Sequence, residues 1–137
     1  MSSYSEKHPE LSKEFLSRIT GHIGDFDTIL SSVDAVNFEG MATRESNGLI
    51  LQRLWEACPG FIGGGADLIT SNKFQYSVED VFAPSAFAGR YVRHGIREHA
   101  MAAIANGLAG FIPHAFLPVT ATFFMFYIYV RFNTWLQ

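Results

Sequence analysis

From Met101 through Val130 the chain carries no Asp, Glu, Lys or Arg. An uncharged stretch of that length has to be weighed as a membrane span, and it constrains everything built around it. Gly107, Gly110, Pro113, His114 and Pro118 interrupt it. It therefore divides more readily into a buried helix, a loop, a core strand and a second helix than into one span. The charge is lopsided to match: twelve of the thirteen acidic residues precede Glu98, which is the last. Glu98 thus stands where a polar front meets an apolar back. Its surroundings read as a short strand over Tyr91 to His94, a turn at Gly95, and a helix from Ile96 to about Ala109.

The segments ahead of that run alternate in type. Pro9 fits the first turn of a helix, where its missing N–H costs nothing. Leu11, Phe15 and Ile19 recur at four-residue spacing as an apolar stripe, ended by Gly21 and Gly24. Asp25 to Gly40 holds no sustained period and reads as linker or short turns. Thr43 is a competent N-cap with Glu45 in the first turn. Leu49, Ile50, Leu54 and Ala57 then share one face, and Pro59-Gly60 stops the helix. Phe61-Ile62 followed by three glycines suits a buried strand of a parallel sheet. Ala66 to Asn72 reads as a loop off its carboxyl end, and Lys73 to Arg90 as an irregular surface segment. After Pro113, Phe116 to Thr120 suits another strand, and Thr122 caps a helix through Phe123, Phe126, Tyr127 and Val130. Strands separated by helices in this order predict an α/β domain with a parallel sheet.

Several function classes fall away on composition. A formal charge of −3 and a pI near 5.9 leave no basic face for nucleic acid. The single cysteine, Cys58, allows neither an intrachain disulfide framework nor a Cys-rich zinc site. Met1 to Glu14 lacks the apolar core of a secretory signal, and Thr134-Trp135-Leu136-Gln137 is no peroxisomal tail. A cytoplasmic location is expected.

Two carboxylates lie where chemistry is possible. In open parallel sheets ligands bind beyond the carboxyl ends of strands, and Asp67 and Glu98 both follow such ends. Taken alone, such a residue is more often a first-turn carboxylate that stabilises its helix dipole than a catalyst. Gly63-Gly64-Gly65 is neither a dinucleotide fingerprint nor a P-loop. His94 and His99 have no third ligand at zincin spacing, so no metal site is expected. Phe123, Phe126 and Tyr129, at three-residue steps, form either a core stripe or the wall of a flat-ring pocket.

Four stretches occur in a telling order: Ala42-Thr43-Arg44; Gly63-Gly64-Gly65-Ala66-Asp67-Leu68 with Ser71-Asn72; Gly95-Ile96-Arg97-Glu98-His99-Ala100-Met101 with Asn106-Gly107; and Thr122-Phe123-Phe124-Met125-Phe126-Tyr127-Ile128-Tyr129. From about Ala42 to Tyr129 the chain resembles the opening part of the pyrimidine-binding domain of transketolases. Leu117 to Tyr127 is most similar in wording to the fungal dihydroxyacetone synthase branch. A looser likeness to the preceding linker covers His8-Pro9-Glu10-Leu11.

The resemblance implies an incomplete three-layer parallel sheet with helices on both faces, the thiamine diphosphate-binding fold. Residues 1–41 would be a helical linker, 42–130 a partial pyrimidine domain and 131–137 a divergent tail. It implies that Glu98 hydrogen-bonds the aminopyrimidine of thiamine diphosphate and favours its imino tautomer. Phe123, Phe126 and Tyr129 would stack on that ring, with Asp67 and Leu68 beside the cofactor. Arg44 and Ser71 would hold the phosphate of a sugar-phosphate donor. Gly65 stands where the family usually has serine, and Ile69-Thr70 where it has Thr-Pro. No Gly-Asp-Gly…Asn stretch is present for diphosphate and magnesium. That half of the site normally belongs to the partner subunit, which implies a homodimer or pairing with a full-length homologue.

Three functions fit these residues. The first is a truncated transketolase-like protein, akin to enzymes that move a two-carbon ketol unit onto an aldose phosphate or formaldehyde, with little or no turnover alone. The second is an inactive fragment that only pairs with a full-length homologue. The third is a small membrane-tethered protein using Leu108 to Val130. The dihydroxyacetone synthase likeness also raises a peroxisomal location, without a targeting tail to support it.

Overall fold

The computed structural model describes residues 2–22, 24, 26–33, 38–74 and 81–131. Helices α1 (Ser2–Lys7), α2 (Pro9–Ile19), α3 (Phe26–Ser31) and α4 (Thr43–Ala57) lead into strand β1 (Phe61–Gly65). Then come α5 (Ile69–Asn72), α6 (Glu98–Phe111), β2 (Leu117–Ala121) and a 3-10 helix over Phe124–Tyr129. The class is α/β, as the alternation predicts. β1 and β2 pair in parallel, from Phe61 opposite Leu117 to Gly65 opposite Ala121.

The three glycines of β1 are there because backbones close in on both sides. A Cβ on Gly63 would sit 1.9 Å from the Val119 carbonyl oxygen, and one on Gly64 the same distance from that of Val92. On the far side of β1 from β2, Gly63 N–H donates to Arg90 O (3.0 Å) and Val92 N–H to Gly63 O (2.8 Å). Tyr91 bridges Gly63 on one side and Val81 on the other. The strand expected over Tyr91 to His94 is reduced to this bridge. The next rung of a parallel ladder would be Gly65 N–H to Val92 O, but that N–H donates to the Tyr91 hydroxyl instead (3.3 Å). The ladder stops there, and Gly95 turns the chain at φ +67.

One aromatic core holds the sheet to α4. Trp55, Phe61, Phe74 and Tyr91 are buried with Leu51 and Cys58. Edge-on contacts link Trp55 to Phe61 (centroids 5.6 Å apart) and Phe74 to Tyr91 (5.5 Å). Arg90 lies over Trp55, 4.4 Å from its ring, and donates to Trp55 O and Cys58 O at the end of α4, each at 2.9 Å. α4 buries Leu51 and Trp55, one turn apart, rather than the Leu49 and Ala57 of the expected face, which stay exposed. Thr43 is its first helical residue, and Ala42 stands at the N-cap without a side-chain bond. Phe74, expected on the surface, is wholly buried because it completes the aromatic cluster.

The N-terminal region departs further from expectation. α2 begins at Pro9 as foreseen, yet Leu11 and Phe15 on its stripe are exposed, and Ser12, bonded to Ser5, is its buried residue. α3 occupies part of the expected linker. Phe26 and Ile29 pack against the core, and Arg53 donates to Ser32 O at 3.0 Å just beyond it. The uncharged run splits into α6, a turn, β2 and the 3-10 helix; among the described residues no helix is long and apolar enough to cross a membrane. Most of the divergent tail, residues 132–137, lies outside the described residues.

Candidate functional site

α6 opens with Glu98 as its first residue, two positions later than expected. Glu98 is only 9% exposed. The Thr122 hydroxyl donates to its Oε1 at 3.4 Å. Arg97, the N-cap residue, turns its guanidinium back toward His94 O (3.5 Å). The carboxyl therefore sits at the positive end of a fourteen-residue helix, next to the segment that carries the aromatic rings.

Those rings follow from the local helix type. An α-helix was expected after Thr122, but bulky aromatic and β-branched side chains favour it poorly, and the segment winds as a 3-10 helix with Phe123 at its N-cap. Phe123 O accepts from Phe126 N–H (2.9 Å) and also from Tyr127 N–H (3.2 Å). Side chains three apart eclipse in this geometry. Phe123 and Phe126 stack with centroids 6.3 Å apart at 20°, and Phe126 and Tyr129 at 6.4 Å and 16°. His99 Nδ1 lies 3.0 Å from Tyr129 O and ties the top of this column to the first turn of α6.

A cleft of about 790 Å³ opens beside this column. Thr43, Arg44 and Asn47 from α4, Ser71 and Asn72 from α5, Ala102 and Asn106 from α6, and Thr120 to Phe124 line it. Among the described lining residues Arg44 is the one charged side chain, so the cleft suits an anion.

The structure thus brings Arg44, Ser71 and Phe123 to one cleft. Glu98 lies behind Thr122, which does line it. Asp67 and Leu68 sit past the end of β1 and outside this lining: Asp67 is exposed in the left-handed region (φ 59), and Leu68 is half-buried as the N-cap of α5. Phe126 and Tyr129 stack away from the cleft, so the wall presented to it begins with Phe123 alone of the three. Sequence reasoning gave Thr122 only a helix-capping role, which Phe123 takes instead, and gave Asn72 none, though each adjoins a residue it chose. His94 is buried, its Nδ1 has no hydrogen-bond partner, and burial holds its pKa below the usual 6.5. Among the described residues no three His, Cys, Asp or Glu side chains gather where they could hold a metal ion.

A buried carboxylate, an aromatic column and a cationic cleft at the carboxyl end of a parallel sheet define an α/β ligand-binding domain. The family model for the transketolase pyrimidine-binding domain matches residues 39–134. Dihydroxyacetone synthase of Candida boidinii is 39% identical over 139 residues, covering 94% of this chain and 20% of that protein. Transketolase 1 of Saccharomyces cerevisiae is 35% identical over 134 residues, 93% of this chain and 19% of that one. Among solved structures, transketolase of Pichia stipitis in complex with sedoheptulose-7-phosphate superposes with a TM-score of 0.81 at 32% identity, over 97% of this chain and 20% of that one. Transketolase from Leishmania mexicana gives 0.83 at 31%, over 96% of this chain and 19% of that one.

The chain belongs to the transketolase family, as a pyrimidine-binding domain. It spans about a fifth of the length of these relatives. The family depends on thiamine diphosphate. The residues present fit the ring half of that cofactor in type: a buried carboxyl that accepts a hydrogen bond from Thr122, and stacked flat rings on the segment that follows Thr122.

Proposed function

We propose that this chain contributes the pyrimidine-facing half of a thiamine diphosphate site and the phosphate end of a ketose-phosphate site. The single observation that carries this is Glu98, buried at the start of α6 and joined through Thr122 to the Phe123–Phe126–Tyr129 column. When bound, the cofactor supplies the carbanion chemistry that moves a two-carbon ketol unit. Glu98 would hydrogen-bond a ring nitrogen of the bound cofactor, Thr122 would help orient the carboxyl through its 3.4 Å hydrogen bond, and the rings would keep water off one face. Asp67 and Leu68, past the end of β1, would lie beside the bound cofactor. Arg44 and Ser71 take the substrate phosphate, a task suited to a guanidinium fork and a hydroxyl.

The diphosphate and magnesium half would come from a full-length homologue, because a second copy of these residues lacks the Gly-Asp-Gly…Asn stretch as well. Turnover by this chain alone is then little or none. Support for pairing comes from the face of the 3-10 helix outside the cleft lining, where Met125 and Ile128, one turn apart, are 69% and 66% exposed. Equilibrium dialysis of thiamine diphosphate against the chain and its Glu98→Ala variant tests the central role. Loss of one hydrogen bond to a charged group should weaken binding about tenfold or more. Equal binding by both proteins would remove Glu98 from the site. Co-purification with a full-length transketolase tests the pairing, and failure to associate would end it.

A further inference from the structure

One buried polar group in the cleft has hydrogen-bonding capacity that the fold does not use. Asn72, the last residue of α5, is 8% exposed, and its Nδ2 is covered without a hydrogen-bond partner. Its backbone is firmly held, with N–H donating to Leu68 O at 2.8 Å, so the orphan is not the mark of a loose segment. Buried amide N–H groups are rarely left unpaired, and each one so left is costly. The residue lines the same cleft as Ser71 and Arg44.

The reason the amide lacks a partner lies at Gly65. A Cβ built there would come 3.3 Å from Asn72 Nδ2, so the position faces the amide yet offers no side-chain oxygen to it. The terminal torsion of asparagine is broad and nearly two-fold. A half-turn exchanges the carboxamide's oxygen and nitrogen at little steric cost and takes the N–H group off Gly65, and the residue itself lines the cleft.

We propose that Asn72 is a further ligand-binding residue of this cleft: its carboxamide turns to donate an N–H to a phosphate oxygen of a sugar phosphate. The proposal rests on the assignment of Arg44 and Ser71 to the substrate phosphate. Arg44 provides charge, Ser71 a hydroxyl, and Asn72 a neutral planar donor from the deeper wall.

Isothermal titration of the full chain with fructose 6-phosphate, and with fructose as the control lacking phosphate, tests this. Asn72→Leu keeps the side chain's shape and removes the donor. It should weaken fructose 6-phosphate binding about tenfold or more, while the melting temperature holds or rises because an unpaired buried donor has gone. Binding within about twofold of wild type would overturn the proposal. A second readout needs no variant to fold: the wild-type Asn72 side-chain NH₂ resonance should shift with fructose 6-phosphate and stay put with fructose. A stationary resonance under saturating fructose 6-phosphate would also overturn it. Arg44→Ala separates the two claims. If Arg44→Ala abolishes binding and Asn72→Leu does not, Asn72 alone is wrong. If Arg44→Ala leaves binding intact, or the wild type does not bind, the phosphate site falls and Asn72 with it.

Discussion

Replacing Tyr91 with phenylalanine removes one oxygen from a ring that is fully buried at the centre of the sheet. In the native chain that oxygen accepts from Gly65 N–H at 3.3 Å, in the position where the ladder would have used Val92 O. Gly65 is itself buried, so its N–H cannot turn to water. The edge contact with Phe74, at 5.5 Å between centroids, survives the change. The loss is therefore polar rather than a cavity. A net hydrogen bond of about 1 kcal/mol disappears and a buried donor is left unpaired, for a total of roughly 1–3 kcal/mol. Urea unfolding followed by tryptophan fluorescence should show a lower midpoint at unchanged slope. A loss under about 0.5 kcal/mol, below the range for an intramolecular hydrogen bond, would mean that Gly65 N–H finds Val92 O once the hydroxyl is gone. The explanation for where the ladder ends would then be wrong.

Three other expectations come from packing and protonation. Gly63→Ala, whose Cβ would meet Val119 O at 1.9 Å, should cost about 3 kcal/mol or more, whereas Gly107→Ala, with open space on α6, should stabilise by about 0.5–1 kcal/mol; paired urea titrations check both. Burial lowers the His94 pKa, so the unfolded chain binds its proton more readily than the folded one. Stability is then intact above the ordinary value of 6.5 and falls as the pH drops through it; His94→Gln should flatten that slope, and an unchanged slope would exclude this residue as its source. Burial raises the Cys58 thiol despite the pull of Arg90, so stability should decline as the pH rises past the ordinary 9.0, and a disulfide reagent should label the protein only at the rate of unfolding.

What could be read from the sequence was whatever a local pattern decides. Pro9 and Pro59-Gly60 marked one end each of α2 and α4, and the glycine run after Phe61 marked a buried parallel strand whose partner, Leu117–Ala121, was placed within a residue. Of the interruptions of the uncharged run, Pro113 and His114 fell in the turn between α6 and β2, whereas Gly107 and Gly110 lie inside α6 and Pro118 inside β2. What could not be read depends on partners distant in the chain. Tyr91 to His94 has strand composition, yet its ladder ends because a side-chain hydroxyl takes a backbone donor. Phe74 looked superficial until three rings from other segments surrounded it. The three-residue spacing of Phe123, Phe126 and Tyr129 was visible, but it marks a 3-10 column and not an α-helical face. For the site, the placement of Glu98 near a helix mouth was legible from the Gly95 turn and the apolar pattern after it, with the helix start read two residues early. The unpaired amide of Asn72 was not, because its neighbour Gly65 comes from a different element and offers it no side-chain acceptor.

Contact between the cofactor's ring and the aromatic column is the most direct question left. Saturation-transfer NMR of thiamine with the full chain, irradiating aromatic protein protons, answers it. Transfer should reach the pyrimidine methyl group more strongly than the thiazolium side chain, and should drop sharply in Phe123→Ala and Glu98→Ala. Transfer that is absent, or that is equal in wild type and both variants, would contradict a pyrimidine-binding role for this chain and leave only a shared fold.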